Sequence, residues 1–166
     1  MEPMTAKRAP ADILVVRRHF DARPAEIFEA WVTPALVELW WGPEGFRTEV
    51  EGLDLRVGGA FRFDMISPLG TRGATAGVFR VIDPPRRLAF DMTEHCNCDL
   101  PPGAEPQLET SFVTVDFNAV GGGTEVVIQH ERLSSEDIAG RFSMGWASSL
   151  GCLVALRFPL RDKPAG

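Results

Sequence analysis

The densest chemistry in the chain is the run Glu94-His95-Cys96-Asn97-Cys98, which sets a carboxylate, an imidazole and two thiols almost side by side. Those are the ligand types that zinc takes, and a tetrahedral site needs three or four of them to converge. The run lies at the end of an apolar, alternating segment. In an extended strand successive side chains point to opposite sides, so Glu94, Cys96 and Cys98 share one side and His95 takes the other. Cys96 and Cys98 also lack a second pair elsewhere in the sequence. The metal reading therefore rests on these two residues alone, and neither a metal nor another cofactor is expected. His130 offers a second chemistry. Parity puts it with Val126 and Ile128, and puts Glu94 with Phe90 and Met92. If both side chains reach one cavity, they form an acid and base pair whose proton affinities burial shifts toward neutrality. The competing reading is a histidine near the sheet rim satisfied by one backbone bond. Glu94 and His130 are thus candidates, and no catalytic set is assigned. Ala147-Ser148-Ser149-Leu150-Gly151 approximates a nucleophile elbow, but that motif needs a strand-to-helix turn and this one falls inside a helical pattern.

The elements that must position these residues follow from periodicity. Ile13 to Phe20 is rich in β-branched residues and reads as a strand, after which Asp21 and Pro24 mark a helix start. Ile27, Phe28 and Trp31 make the apolar face of that helix, and Pro34 ends it near Thr33. A second short helix, 34 to 41, places Leu36, Leu39 and Trp40 on one side, and Gly42-Pro43 stops it. From Phe46 the period becomes two, giving strands near 46–55, 60–66, 73–82, 87–96, 109–119 and 124–132. Short turns join most of them, which favours antiparallel pairing. The longest loop is Asn97 to Pro106. Alternation groups Phe61, Phe63 and Met65; Leu88, Phe90 and Met92; Val113, Val115 and Phe117; and Val126, Ile128 and His130 on one dry face. Phe79 fits either face, depending on a bulge. A last helix begins at Ser134 and Ser135, where hydroxyl caps and first-turn acids match the helix dipole, and runs to about Arg157. Its stripe is Ile138, Phe142, Gly145, Trp146, Ser149, Leu153 and Leu156, with Gly145 and Ser149 leaving space beneath it, and Cys152 expected to be a small buried hydrophobe.

Composition narrows the function classes. At 166 residues, with 45% hydrophobic and 24% charged residues, the chain fits one soluble domain with one core. The expected division is a flexible lead 1–11, a domain 12–160 and a tail 161–166. The net charge is -6, and the fifteen arginines and two lysines are scattered, which excludes a nucleic-acid footprint. No stretch reaches the roughly 18 apolar residues of a membrane span. The start has no secretory signal core, and three cysteines make no disulfide framework, so a cytoplasmic, reducing location is expected.

The motifs RHFDARPAEIFEAWVTP, WWGP, GGAFRFDM, DPPRRLAF, VTVDF…GGGTEVVIQH and the final GW helix resemble those of the activator of heat-shock-chaperone ATPase homologue family, over about Leu14 to Leu156. The resemblance implies the START-like, α+β helix-grip fold: a curved antiparallel sheet wrapped around a long C-terminal helix, with two short helices after the first strand. It also implies a cavity between sheet and helix for a small hydrophobic molecule, in a superfamily whose members include some cyclases and dehydratases. It carries no agreed catalytic set. A chaperone partner and a stress-response role come with the family name. Only about 11 residues stand where the eukaryotic activators carry an N-terminal domain that supplies much of the chaperone contact. Exposed strand edges would allow a homodimer, although no sequence signature specifies one. The expected cavity lining is Trp40, Phe61, Phe63, Met65, Phe90, Met92, Val115, Ile128, Phe142, Trp146 and Ser149. An empty apolar cavity of ~400 Å³, at ~24 cal/mol per Å³, would cost about 10 kcal/mol, so the space is expected to be small, hydrated or occupied.

Overall fold

The computed structural model describes residues 13–42, 44–96, 110–133 and 135–156. The expected lead, the tail and the 97–106 loop lie outside the described residues. The element order is β1 (Ile13–Phe20), α1 (Pro24–Val32), α2 (Pro34–Trp40), β2 (Arg47–Leu53), β3 (Ala60–Ile66), β4 (Arg72–Asp83), β5 (Arg87–Cys96), β6 (Thr110–Val120), β7 (Gly123–Glu131) and α3 (Glu136–Ala155). Among the described residues the strands form one curved antiparallel sheet in the order β1-β7-β6-β5-β4-β3-β2. The chain thus meanders from β2 to β7, and β1 closes the far side by pairing with β7. This is the helix-grip α+β fold that the sequence implies.

Local chemistry explains the element boundaries, with two corrections. The N-cap of α1 is Arg23 rather than Asp21: Pro24 supplies the preset first turn, and the Arg23 amide donates to Glu26 Oε1 at 3.0 Å. In α2 the buried side chains are Val37 and Trp40, whereas Leu39 is 56% exposed. Seven residues make only two turns, and Trp40 sets which side faces inward by donating its indole N–H to Ala30 C=O at 2.9 Å. Ser135 caps α3, its hydroxyl accepting the Ile138 amide at 3.1 Å.

Sheet register decides the inner face. A bulge between Phe79 and Val81 leaves Phe79 buried opposite Phe90, which answers the question left open by alternation. At Gly77 a Cβ would stand 1.8 Å from Asp91 C=O and 2.8 Å from Phe61 Cζ, so the Phe61 ring can lie across this position only because it is glycine. The outer face carries ion pairs such as Arg62–Asp64 at 3.0 Å and Arg87–Asp116 at 2.6 Å, half in water and each worth little. The core is the inner face of the sheet packed with α1, α2 and the second half of α3.

Candidate functional site

Three aromatic-bearing segments converge over β3 to β6. From α1 comes Trp31, from the end of α2 come Trp40 and Trp41, and from α3 comes Trp146. Trp31 stacks on Trp146 at 5.9 Å between ring centroids and meets Trp40 at 4.8 Å and Trp41 at 6.0 Å. Trp41 then reaches the sheet at Phe63, 5.1 Å away, and Phe61 continues the cluster to Phe63, Phe79 and Phe90 at 5.0 to 5.3 Å. Edge-on and tilted arrangements dominate, as ring quadrupoles favour. A void of about 10 Å³ remains among Trp31, Trp41, Phe61, Phe63, Phe79, Leu88 and Phe90. That is room for about one water, yet its walls are apolar or aromatic, and a buried water needs two to four polar partners.

Of the residues expected to line a cavity, Trp40, Phe61, Phe63, Phe90, Met92, Val115, Ile128 and Trp146 are buried, while Met65 and Phe142 are half-buried at the margin. Ser149 is buried, and its role differs from the one expected. Its hydroxyl donates to Gly42 C=O at 3.0 Å and accepts the Gly42 amide at 3.1 Å, so it fastens α3 to the turn after α2 instead of leaving space. Ser148 Oγ accepts the Glu44 amide at 2.8 Å beside it. The nucleophile-like serines are therefore structural fasteners. At Gly145 a Cβ would meet nothing within 4 Å.

Beyond the aromatic cluster a polar band crosses the inner face on four successive strands: Thr75 on β4, Glu94 on β5, Ser111 on β6 and His130 on β7. Thr75 and Glu94 are direct cross-strand partners, and the Thr75 hydroxyl donates to Glu94 Oε2 at 2.8 Å. Burial pushes the Glu94 carboxyl above the usual carboxylate range, and that hydroxyl only partly offsets it. His130 is fully buried and bonded at both nitrogens. The Trp146 indole N–H donates to Nδ1 at 3.1 Å, which makes Nδ1 an acceptor and puts the proton on Nε2. Nε2–H then donates to Ser111 Oγ at 2.7 Å, whose own proton reaches Met92 C=O at 3.3 Å. Desolvation lowers the His130 pKa to about 4.

Glu94 and His130 do not form the pair that parity allows. Strand β6 lies between β5 and β7, and among the described residues no hydrogen bond links the two side chains. With its acceptor nitrogen filled by Trp146, His130 is a neutral joint between sheet and helix. That sequence signal, a histidine on a dry face and a tryptophan on the last helix, cannot specify their contact without the helix register. Of the metal candidates, Cys98 lies outside the described residues, as do the side chains of His95 and Cys96. Among the described residues no three of His, Cys, Asp and Glu gather. Cys152 is half-buried rather than fully buried, and burial together with Glu44 raises its thiol pKa.

Seating of α3 is uneven. From Glu136 to Gly145 no side chain is buried, and Phe142 and Ile138 are half-exposed. From Trp146 onward Trp146, Ser149, Leu150 and Leu153 are buried. The lifted half approaches the polar band through Phe142, whose ring lies 4.3 Å from that of His130.

Comparison with known proteins places this geometry. A family model described as Activator of Hsp90 ATPase homolog 1-like protein matches residues 21–157. No curated protein matches. Among solved structures, a protein from Chromobacterium violaceum is 25% identical over 89% of this chain and 98% of its own, with a TM-score of 0.74. The AHSA1 protein from Silicibacter pomeroyi is 26% identical over 86% of this chain and 95% of its own, with a TM-score of 0.71. A protein from Arthrobacter aurescens, 23% identical over 94% of this chain and 89% of its own with a TM-score of 0.75, shares the fold.

Proposed function

Since the chain belongs to the Activator of Hsp90 ATPase homolog 1-like protein family, we propose that it binds a small hydrophobic or aromatic molecule between the inner face of the sheet and α3. The observation that carries this reading is the uneven seating of α3 over an aromatic floor. A helix that only closed the core would bury a stripe along its whole length. Here residues 136–145 bury no side chain and reach the core through the half-buried Phe142, while Phe61, Phe63, Phe90 and Met92 are buried on the inner face of the sheet. The void of about 10 Å³ among Trp31, Trp41, Phe61, Phe63, Phe79, Leu88 and Phe90 is the space such a molecule would enlarge on binding. The Thr75–Glu94 pair supplies a polar end to an otherwise apolar site.

Native mass spectrometry of freshly purified protein, set against its denatured mass, tests the reading. An adduct of a few hundred daltons that is lost in Trp146→Ala supports it. A bare mass, together with no saturable binding of the apolar dye 1-anilinonaphthalene-8-sulfonate, sinks it.

A second reading, stimulation of a chaperone ATPase through the outer surface, rests on the description of the family. A flat ATPase response across a concentration series of this protein removes it. A cyclase or dehydratase reading narrows to Glu94, the half-buried carboxyl on the inner face whose proton affinity desolvation raises. Turnover of a bound ligand that persists in Glu94→Gln excludes that role.

A further inference from the structure

Among the tryptophans of the cluster, Trp40 and Trp146 each place the indole N–H on an acceptor, Ala30 C=O and His130 Nδ1. Trp31 does not. Its Nε1–H is buried, the residue is 3% exposed, and no hydrogen-bond partner is present among the described residues. Burying such a donor unmet costs about 1 to 3 kcal/mol. Its surroundings explain why no described residue meets it: the ring is enclosed by Trp40, Trp41, Phe117 and Trp146, none of which brings an acceptor to it. The same side chain also lines the apolar void with Trp41, Phe61, Phe63, Phe79, Leu88 and Phe90. A water there would find too few polar partners to stay.

One side chain, Trp31, both carries a buried donor without an acceptor and lines a dry void with too few polar groups for water. We propose that Trp31 Nε1–H is the polar anchor of the ligand site, and that the ligand class is an aromatic or aliphatic molecule carrying a hydrogen-bond acceptor such as a carbonyl oxygen. The inference rests on the hydrophobic-ligand reading above and adds to it the chemistry that selects among hydrophobic molecules. A ligand larger than the void enters when the ring cluster opens, and its carbonyl then meets the donor that, among the described residues, the closed state leaves unmet. A hydrocarbon of equal shape fills the space but leaves the donor bare.

Acetophenone and ethylbenzene test this, since they match in shape and differ in one carbonyl. Their affinities are measured by calorimetry for the full chain and for Trp31→Phe, which keeps an aromatic ring and deletes the donor. The full chain is expected to bind acetophenone at least as tightly as ethylbenzene. The substitution is expected to shift that ratio about tenfold toward the hydrocarbon, because an apolar site then desolvates a carbonyl without return. Should Trp31→Phe fail to fold, the Trp31 indole N–H proton resonance of the full chain decides: it moves downfield with acetophenone and not with ethylbenzene. Binding of both probes with an unchanged ratio, or an unmoved resonance, overturns the anchor and leaves the hydrophobic site standing. That outcome would mean that the N–H rests against ring faces. Binding of neither probe overturns both readings.

Discussion

The two halves of α3 obey the same helical periodicity and meet the sheet differently. Its second half is held by shape and by directed bonds at once: Trp146 stacks on Trp31, and Ser149 bonds both backbone groups of Gly42. Its first half has a good cap at Ser135 and acids in its first turn, yet buries no side chain before Trp146. The difference teaches where rigidity and access lie. Aromatic packing at one end fixes the helix direction, and the other end meets the sheet through the half-buried Phe142 beside His130. Trp146 is the pivot, since it belongs to the cluster through its ring and to the band through its N–H on His130.

The largest effect is expected from removing the pivot. Trp146→Ala deletes the stack with Trp31, the edge contact with Trp41 at 5.5 Å and the bond to His130, and should lower stability by about 3 to 5 kcal/mol in urea unfolding. Met144→Ala, on the exposed side of the lifted half at 75% exposure, should stay within about 0.5 kcal/mol. Similar losses at the two positions would break the contrast between the halves.

Acid should strike the same joint. The His130 pKa falls from 6.5 to about 4, so the unfolded chain binds more protons than the folded one between those values. The stabilisation is complete above about pH 6.5 and disappears as pH falls through about 4, a change of about 3 kcal/mol. Glu94 acts in the opposite direction: its raised pKa favours the fold at low pH, and this contribution is lost as pH rises. Unfolding in a Glu94→Gln background therefore isolates the histidine. A slope there that is unchanged by His130→Phe would mean that other groups carry it.

The fold was legible because its signals are local. β3 and β5 coincide with the runs 60–66 and 87–96, since alternation over seven to ten residues between glycine and proline turns leaves little choice of boundary. What sequence could not show depends on lateral order. Glu94 and His130 have the right parity, but parity does not place β6 between their strands. Ser149 shares a helix stripe with Trp146, but only the crossing of α3 over the α2 turn makes it a fastener rather than a gap. Trp31 was visible as an apolar-face residue, and its unmet N–H emerges only when four neighbouring rings are in place.

Ser149→Ala tests the fastener. It would strand the buried amide and carbonyl of Gly42, and a loss of about 1 to 3 kcal/mol is expected. Hydrogen exchange should quicken first in residues 40–42 and 146–150, and not in 136–145, because the lifted half does not depend on that bond. Uniform quickening along α3 would show that the helix seats as one unit.

The smallest effect has the opposite sign. Gly145 lies in mid-helix at the boundary between the halves, and a Cβ built there would meet nothing within 4 Å. Glycine in such a position costs a helix about 0.5 to 1 kcal/mol relative to alanine, through the freedom it gives the unfolded chain. Gly145→Ala should therefore stabilise the protein by up to about 1 kcal/mol in urea unfolding. It should also stiffen the step between seated and lifted turns, so the added methyl probes the site as well as the fold. If α3 must flex at Gly145 to admit a ligand, the variant gains stability and binds acetophenone more slowly. Gained stability with an unchanged association rate would place the movement elsewhere, and lost stability would mean that the space beside Gly145 is filled in solution.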